Sequence, residues 1–150
     1  MNRLKLVALD KDDLEVVSVH LQDAIVNPAE VLWRPQERRV VIGLDRFDWE
    51  AAACSKTPAY QRRRAALRFD RVRSCKARDV DPARDSALSL LAVEFDETDA
   101  PSGAVTLVFS GKATLRLEVE CLEVELVDIG PSRDAGICPE HKIAAEEGRR

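Results

Sequence analysis

The stretch LRLEVECLEVELVD, residues 115–128, alternates apolar and acidic residues with a period of two. This period is typical of a β-strand with one buried side and one solvent-facing side. The apolar residues occupy odd positions up to Cys121 and even positions from Leu122 onward. Because a shift of one residue turns every side chain to the opposite face, a bulge or sharp bend is needed at this point. Bends of this kind predict a strongly curved sheet or a barrel-like shell.

Other segments of the chain show a similar extended pattern, punctuated by turn residues. Two hairpins are predicted, one around the turn at residues 35–38 and one around the loop at residues 99–103. A further charged strand loses its alternation near Arg71, which indicates a second irregularity. The predicted strands are residues 31–33, 40–47, 67–77, 91–95 and 105–109.

The N-terminal region predicts a strand followed by a helix. Residues 4–9 form a short apolar run, and from Lys11 to about Gln22 the apolar spacing changes to that of one helical face. Asp10 is placed to cap this helix. The sequence therefore predicts an α+β fold, mainly antiparallel β, in which one N-terminal helix packs on the curved sheet or barrel-like shell.

Length and composition indicate one domain. The chain has 150 residues, of which 45% are hydrophobic and 33% are charged, as is usual for globular proteins. We assign residues 1–130 to a single globular domain, and residues 131–150, which lack periodicity, to a flexible C-terminal tail. Residues 50–61 are consistent with either a long loop or a short helix.

The chain carries no sequence signal for a membrane or for secretion. No window approaches the roughly 18 apolar residues of a membrane span, and the N-terminus lacks the apolar core of a signal peptide. The four cysteines show no CxxC pair and no histidine at ligand spacing, which argues against zinc. We therefore expect a cytoplasmic protein with reduced thiols, no membrane contact, no metal and no cofactor.

Catalytic motifs are missing from the sequence. The chain has 2 histidines and no HxxxH, GxSxG, GxGxxG or Walker pattern. No catalytic residue is assigned, and the sequence favours a protein that is not an enzyme.

Charge is unevenly distributed along the chain. Residues 56–78 are strongly basic, residues 94–128 are strongly acidic, and the net charge is -4. If these segments are neighbours in one sheet, opposite charges pair across the strands. Alternatively, the arginines form an exposed site for an anion or an acidic protein partner. The candidate residues are Arg62, Arg63, Arg64, Arg68 and Arg71.

A second candidate site lies in RFDWE, residues 46–50, where carboxylates and aromatic rings adjoin at a strand end. Arg46, Asp48 and Trp49 are its candidate residues for binding an anion or a partner. The other interpretation is that the rings anchor the sheet and the charges are solvated. The acidic overall balance and an aromatic content of 5% argue against nucleic-acid binding.

Four segments together resemble a known family. They are LKLVALD, RFDWE, RRRAALRFDRV and LRLEVECLEVELVDIGP. The chain, up to about Pro131, is similar to an alphaproteobacterial family of unknown function with the catalogue number 2948. The resemblance implies no activity, so no catalytic residue can be transferred to this chain.

Our leading hypothesis is a non-enzymatic binding or regulatory module that uses a polarised charged surface, with a protein partner or a second copy of the chain. One alternative is an enzyme or sensor for a small anionic metabolite, with its site near Arg46, Asp48 and Trp49. A second alternative is weak nucleic-acid binding through residues 62–78. The position of the guanidinium groups relative to the acidic strands distinguishes these hypotheses.

Overall fold

A computed structural model describes residues 4–47, 61–81 and 87–134, without the side chains of residues 61 and 131–134. These residues form nine strands and one α-helix, with a short 3-10 turn at Ser110–Lys112. The elements in chain order are β1 (Lys5–Ala8), α1 (Lys11–Leu21), β2 (Ala24–Arg34), β3 (Arg39–Phe47), β4 (Gln61–Phe69), β5 (Val72–Arg78), β6 (Leu88–Asp99), β7 (Ser102–Phe109), β8 (Thr114–Val119) and β9 (Val124–Asp134).

All described strands belong to one antiparallel sheet with the order β1-β9-β4-β3-β2-β6-β7-β8-β5. The sheet is curved and is not closed. Both predicted hairpins are present, as β2–β3 and β6–β7. The first begins earlier than predicted, since β2 starts at Ala24 and continues through a register shift between Val26 and Val31. The predicted α+β class with one N-terminal helix is confirmed.

Two chain segments pass from one half of the curved sheet to the other. One joins β4 to β5 through Asp70 and Arg71, and the other joins β8 to β9. The segments are tied by backbone hydrogen bonds, from Asp70 N–H to Glu123 O at 3.0 Å and from Glu120 N–H to Arg71 O at 2.9 Å. Arg71 has a φ of 62°, which allows the sharp change of direction.

At both crossings the buried residues change from odd-numbered to even-numbered positions. Val119 is buried before the second crossing, and Leu122 and Val124 are buried after it. At the first crossing the buried positions change from Phe69 to Val72. The changes of parity predicted at Cys121–Leu122 and near Arg71 are therefore both confirmed, but at each of them one strand ends and another begins on the opposite half of the sheet, so the single strand predicted for residues 67–77 is wrong. Each allows one continuous chain to supply core residues to two differently oriented half-sheets.

Helix α1 covers part of the core beside β1 and β6. The Asp10 side chain accepts a hydrogen bond from Asp13 N–H at 2.8 Å, which caps the first turn. Leu14, Val17 and Leu21 form the buried stripe. Spacing of three and four residues places all three on one side of the helix, as predicted.

The last strand extends to Asp134, four residues into the segment for which the sequence predicts a tail. The remainder of that segment, and residues 50–60 of the predicted loop or helix, lie outside the described residues. Within the part of the chain that the structure describes, no helix has the length and apolar character needed to span a bilayer.

Candidate functional site

Arg46 lies on the buried side of β3, in line with Ile42 and Leu44, and 1% of its side-chain surface is exposed. It donates from Nε to Asp128 Oδ1 at 2.8 Å and from Nη2 to Asp128 Oδ2 at 2.9 Å. The backbone N–H of Leu4 donates to the same carboxylate at 2.8 Å. A two-point contact of this type holds a carboxylate in one orientation. The pair therefore connects β3, β9 and the residue that precedes β1.

The environment of Asp128 keeps its carboxyl ionised. Burial alone would raise its pKa, since the charged form loses water. Hydrogen bonds from Arg46 and Leu4, together with the charges of Arg46 and Arg63, outweigh burial and lower the pKa of Asp128. An ionised carboxylate has no proton to donate, so Asp128 is not suited to the role of general acid.

Arg62 and Arg63 are separated by the alternation of β4. Arg63 is the direct cross-strand neighbour of Arg46 and is also buried, with its Nε 4.0 Å from Asp128 Oδ2. Arg62 is opposite Phe47 instead, and its guanidinium lies 5.5 Å from the centre of the Phe47 ring. Neighbouring residues of a strand face opposite sides, so this arginine run does not form one continuous surface.

Arg64 reaches across β3 to carboxylates on both β2 and β3. It forms ion pairs with Glu30 and, at 3.7 Å, with Asp45. Glycines lie on both sides of Arg64: on β3, a Cβ at Gly43 would lie 2.7 Å from Arg64 Nη2, and on β9, a Cβ at Gly130 would lie 2.8 Å from Arg64 Cβ. The hydrogen bond to Glu30, the largest influence, raises the pKa of Arg64. The Arg64 side chain is thus held on the face of the sheet by its ion pairs with Glu30 and Asp45.

Arg68 and Arg71 also face carboxylates. Arg68 lies 2.9 Å from Glu125, its cross-strand neighbour, and 3.0 Å from Asp70. Arg71 lies 3.5 Å from Glu123. The basic and acidic segments therefore meet inside one sheet at these positions, which is the first of the two interpretations of the charge pattern.

The predicted site around RFDWE is only partly described. Arg46 lies in the buried pair above, whereas Asp48 and Trp49 lie outside the described residues. Among the described side chains, no group of three or more His, Cys, Asp and Glu is arranged to hold a metal ion.

A different charged feature lies between the start of α1 and β6, and we call it the acidic groove. It consists of two adjoining cavities of about 620 and 250 Å³ that share Lys11, Phe95 and Asp96. Its exposed carboxylates are Asp10, Asp12, Glu15, Glu94, Asp96 and Glu97. Its apolar lining is Leu9, Leu14, Val93, Phe95, Pro101 and Leu122. The groove thus combines an apolar floor with an acidic rim.

The carboxylates of the acidic groove differ in their ion pairing from the acidic residues at positions 120–125. Glu120, Glu123 and Glu125 form ion pairs with arginines or lysine. Within the described residues, no ion pair includes a carboxylate of the groove. The negative charge of this surface is therefore not offset by an ion pair among the described residues.

Sequence patterns do not reveal the acidic groove. Its carboxylates come from residues 10–15, where they are typical of a helix start, and from residues 94–97, which belong to the acidic segment as a whole. The feature that points to the groove is that β6 carries carboxylates while its partner β7 carries no basic residue opposite them. Only the sheet order shows which acidic strand lies next to the basic strand.

The fold and the charged surfaces define an antiparallel β-sheet protein with one helix and an acidic groove at its side. The family model for proteins of unknown function DUF2948 matches residues 4–141. The chain therefore belongs to this family, as the resemblance predicts. No curated protein matches the chain, and no solved structure matches it.

Proposed function

We propose that this protein is a non-enzymatic binding module that presents the acidic groove to a basic segment of a partner protein. The proposal rests on one observation: the groove carboxylates have no ion-pair partner among the described residues, while most of the candidate arginines face carboxylates. The proposal keeps the polarised charged surface predicted from the sequence and places the binding face at its acidic side. We further propose that the protein acts in the bacterial cytoplasm.

The chemistry of the groove supports a cationic ligand. Six carboxylates and one lysine line the two cavities. Charges of one sign that line a cleft produce a potential that attracts the opposite charge, within a screening length of about 8 Å in physiological salt. Such a surface accelerates encounter with a basic partner and discriminates against acidic ones. The apolar floor supplies contact area that ion pairs alone lack.

The first experiment uses an alternating Lys–Val peptide as the probe and measures its binding by fluorescence anisotropy at low and high salt. We expect saturable binding that weakens as salt increases. The double variant Asp12→Asn with Asp96→Asn should weaken binding several-fold, because both carboxylates line the groove. The absence of binding at low salt would contradict the proposal.

A matched control separates the groove from general acidity. Asp13 and Asp99 are exposed on the same helix and strand but do not line either cavity. The double variant Asp13→Asn with Asp99→Asn removes the same net charge and should change binding by less than about twofold. An equal loss in both double variants would show that only long-range charge is at work.

Self-association is a second candidate, because β5 is an edge strand with exposed basic residues. Arg73, Lys76 and Arg78 are exposed, and none of them forms an ion pair among the described residues. They are complementary in charge to the groove of a second copy. Sedimentation at low and high salt tests this: a dimer at low salt alone supports it, and a monomer under both conditions contradicts it.

The other two hypotheses stay predictions. The enzyme or sensor for a small anionic metabolite requires Asp48 and Trp49, and thermal-shift measurements with a panel of anionic metabolites would test it. Nucleic-acid binding through residues 62–78 is weakened because Arg64, Arg68 and Arg71 face carboxylates.

A further inference from the structure

Strand β6 has an open edge inside the acidic groove. Its pairing with β2 covers only Leu88–Leu90, opposite Ala24–Val26, whereas its pairing with β7 continues to Asp99. Beyond Leu90, no described strand pairs with the side of β6 that faces away from β7. An unpaired edge is a template for another extended chain.

Two hydrogen bonds define which backbone groups face this edge. Val93 N–H donates to Ser18 Oγ of α1 at 3.2 Å. Between the register shifts at Leu90/Ala92 and Glu97/Asp99, the odd residues of β6 from Val93 to Glu97 therefore direct their backbone groups away from β7. On β7, the N–H of Phe109 is directed toward the β8 side, which leaves the even residues of β7 to bond β6. The two observations agree. The N–H and C=O groups of Phe95 and Glu97 therefore face the open edge.

The same two residues line the larger cavity of the groove. Ser18 bonds the edge at Val93, and among the described residues no hydrogen bond joins α1 to the edge after that residue. The open backbone, the apolar floor and the acidic rim consequently coincide over a short length of β6.

From this coincidence we infer that the partner binds as an extended strand added to β6 along Phe95 and Glu97. This inference rests on the proposed function and specifies the form of its ligand. Backbone hydrogen bonds supply affinity in this binding mode, and alternate side chains supply specificity.

The alternation of β6 specifies the pattern of the ligand. Glu94 and Asp96 are exposed, whereas Val93 and Phe95 are buried. Directly opposed residues of paired strands share a face. Lysine or arginine therefore lies opposite Glu94 and Asp96, and an apolar residue lies opposite Phe95, toward the floor that includes Leu122. The ligand is a short segment in which basic and apolar residues alternate.

The closing experiment compares three forms of the alternating Lys–Val peptide with the full chain. The first is unmodified, and the others carry backbone N-methyl groups at every second residue, in the two possible registers. In a strand added to β6, only alternate N–H groups of the peptide face β6. We expect one register to lose at least about tenfold in affinity, the equivalent of one to two hydrogen bonds, and the other register to stay within about twofold.

Two variants of the protein test the same hydrogen bonds by changing β6 instead of the peptide. Glu97→Ala removes the carboxylate but retains the N–H group, whereas Glu97→Pro removes both. Because this N–H faces away from β7, proline at Glu97 leaves the β6–β7 hydrogen bonds intact. We expect Glu97→Pro to bind the unmodified peptide several-fold more weakly than Glu97→Ala.

The outcomes separate this inference from the proposed function. Equal binding of both N-methylated registers, with salt-dependent binding of the unmodified peptide retained, overturns strand addition and leaves the basic partner intact. No binding of any peptide overturns both. A dimer that forms at low salt and disappears in Asp96→Lys would place a second copy in the groove and overturn the assignment to a separate partner.

Discussion

The guanidinium of Arg46 and the carboxylate of Asp128 share two parallel hydrogen bonds of 2.8 and 2.9 Å, and both side chains are almost completely removed from solvent. Removing one member of such a pair leaves a buried charge without its partner. We therefore expect Arg46→Met to lower the free energy of unfolding by about 3–5 kcal/mol, as measured by urea denaturation.

The double variant Arg46→Met with Asp128→Leu is the control for this prediction. Because it removes both charges of the pair, although Arg63 remains 4.0 Å from position 128, it should lose less stability than the sum of the two single variants. The prediction is wrong if the double variant is as unstable as the sum of the two single variants.

The stability of the protein should depend on pH through Asp128. The pKa of this carboxyl in the folded protein is lower than its ordinary value, because Arg46 and Leu4 donate hydrogen bonds to the ionised form. The stabilisation from this ionised carboxylate is therefore complete above the unfolded pKa and is lost as the pH falls through the folded pKa. Urea denaturation between neutral pH and about pH 3 should show a falling free energy of unfolding, with a smaller slope in Asp128→Asn. An unchanged slope in that variant would contradict the assignment.

Gly103 allows the β6–β7 hairpin to pack closely. A Cβ at this position would lie 2.4 Å from the backbone oxygen of Asp96 and 2.7 Å from a ring atom of Phe95. Since the backbone cannot move aside easily, Gly103→Ala should destabilise the protein by about 1–3 kcal/mol. Gly43→Ala is the comparison, because its closest contact is the flexible end of Arg64, and its cost in thermal or urea unfolding should be smaller.

Arg68 and Glu125 form a cross-strand ion pair at 2.9 Å on a partly exposed surface. A double-mutant cycle with Arg68→Ala and Glu125→Ala should give a coupling of about 0.2–1 kcal/mol that decreases in high salt. A second cycle, with Arg78→Ala in place of Arg68→Ala, serves as the control. Arg78 is exposed and has no ion-pair partner among the described residues. A coupling that does not respond to salt would contradict a simple surface pair.

Much of the fold follows from local patterns. The period of two and its change at Cys121–Leu122 predict a bent strand, because only one face of each half-sheet is buried. The helix from Lys11 and its cap at Asp10 are equally visible, since capping and an apolar stripe depend on neighbouring residues. The alternation of a strand likewise divides the arginine run between two faces, because neighbouring residues point to opposite sides.

The candidate sites depended on information that is not local. The sequence by itself determined most of the elements, their buried faces, the change of parity at Cys121–Leu122 and the opposite charges of two segments. Only the tertiary structure decided that Arg68 meets Glu125, that Arg46 is buried against Asp128, and that Glu94, Asp96 and Glu97 are left beside the start of α1. The reason is that strand order and register bring together residues distant in the chain, and a charge acts through its neighbours in space.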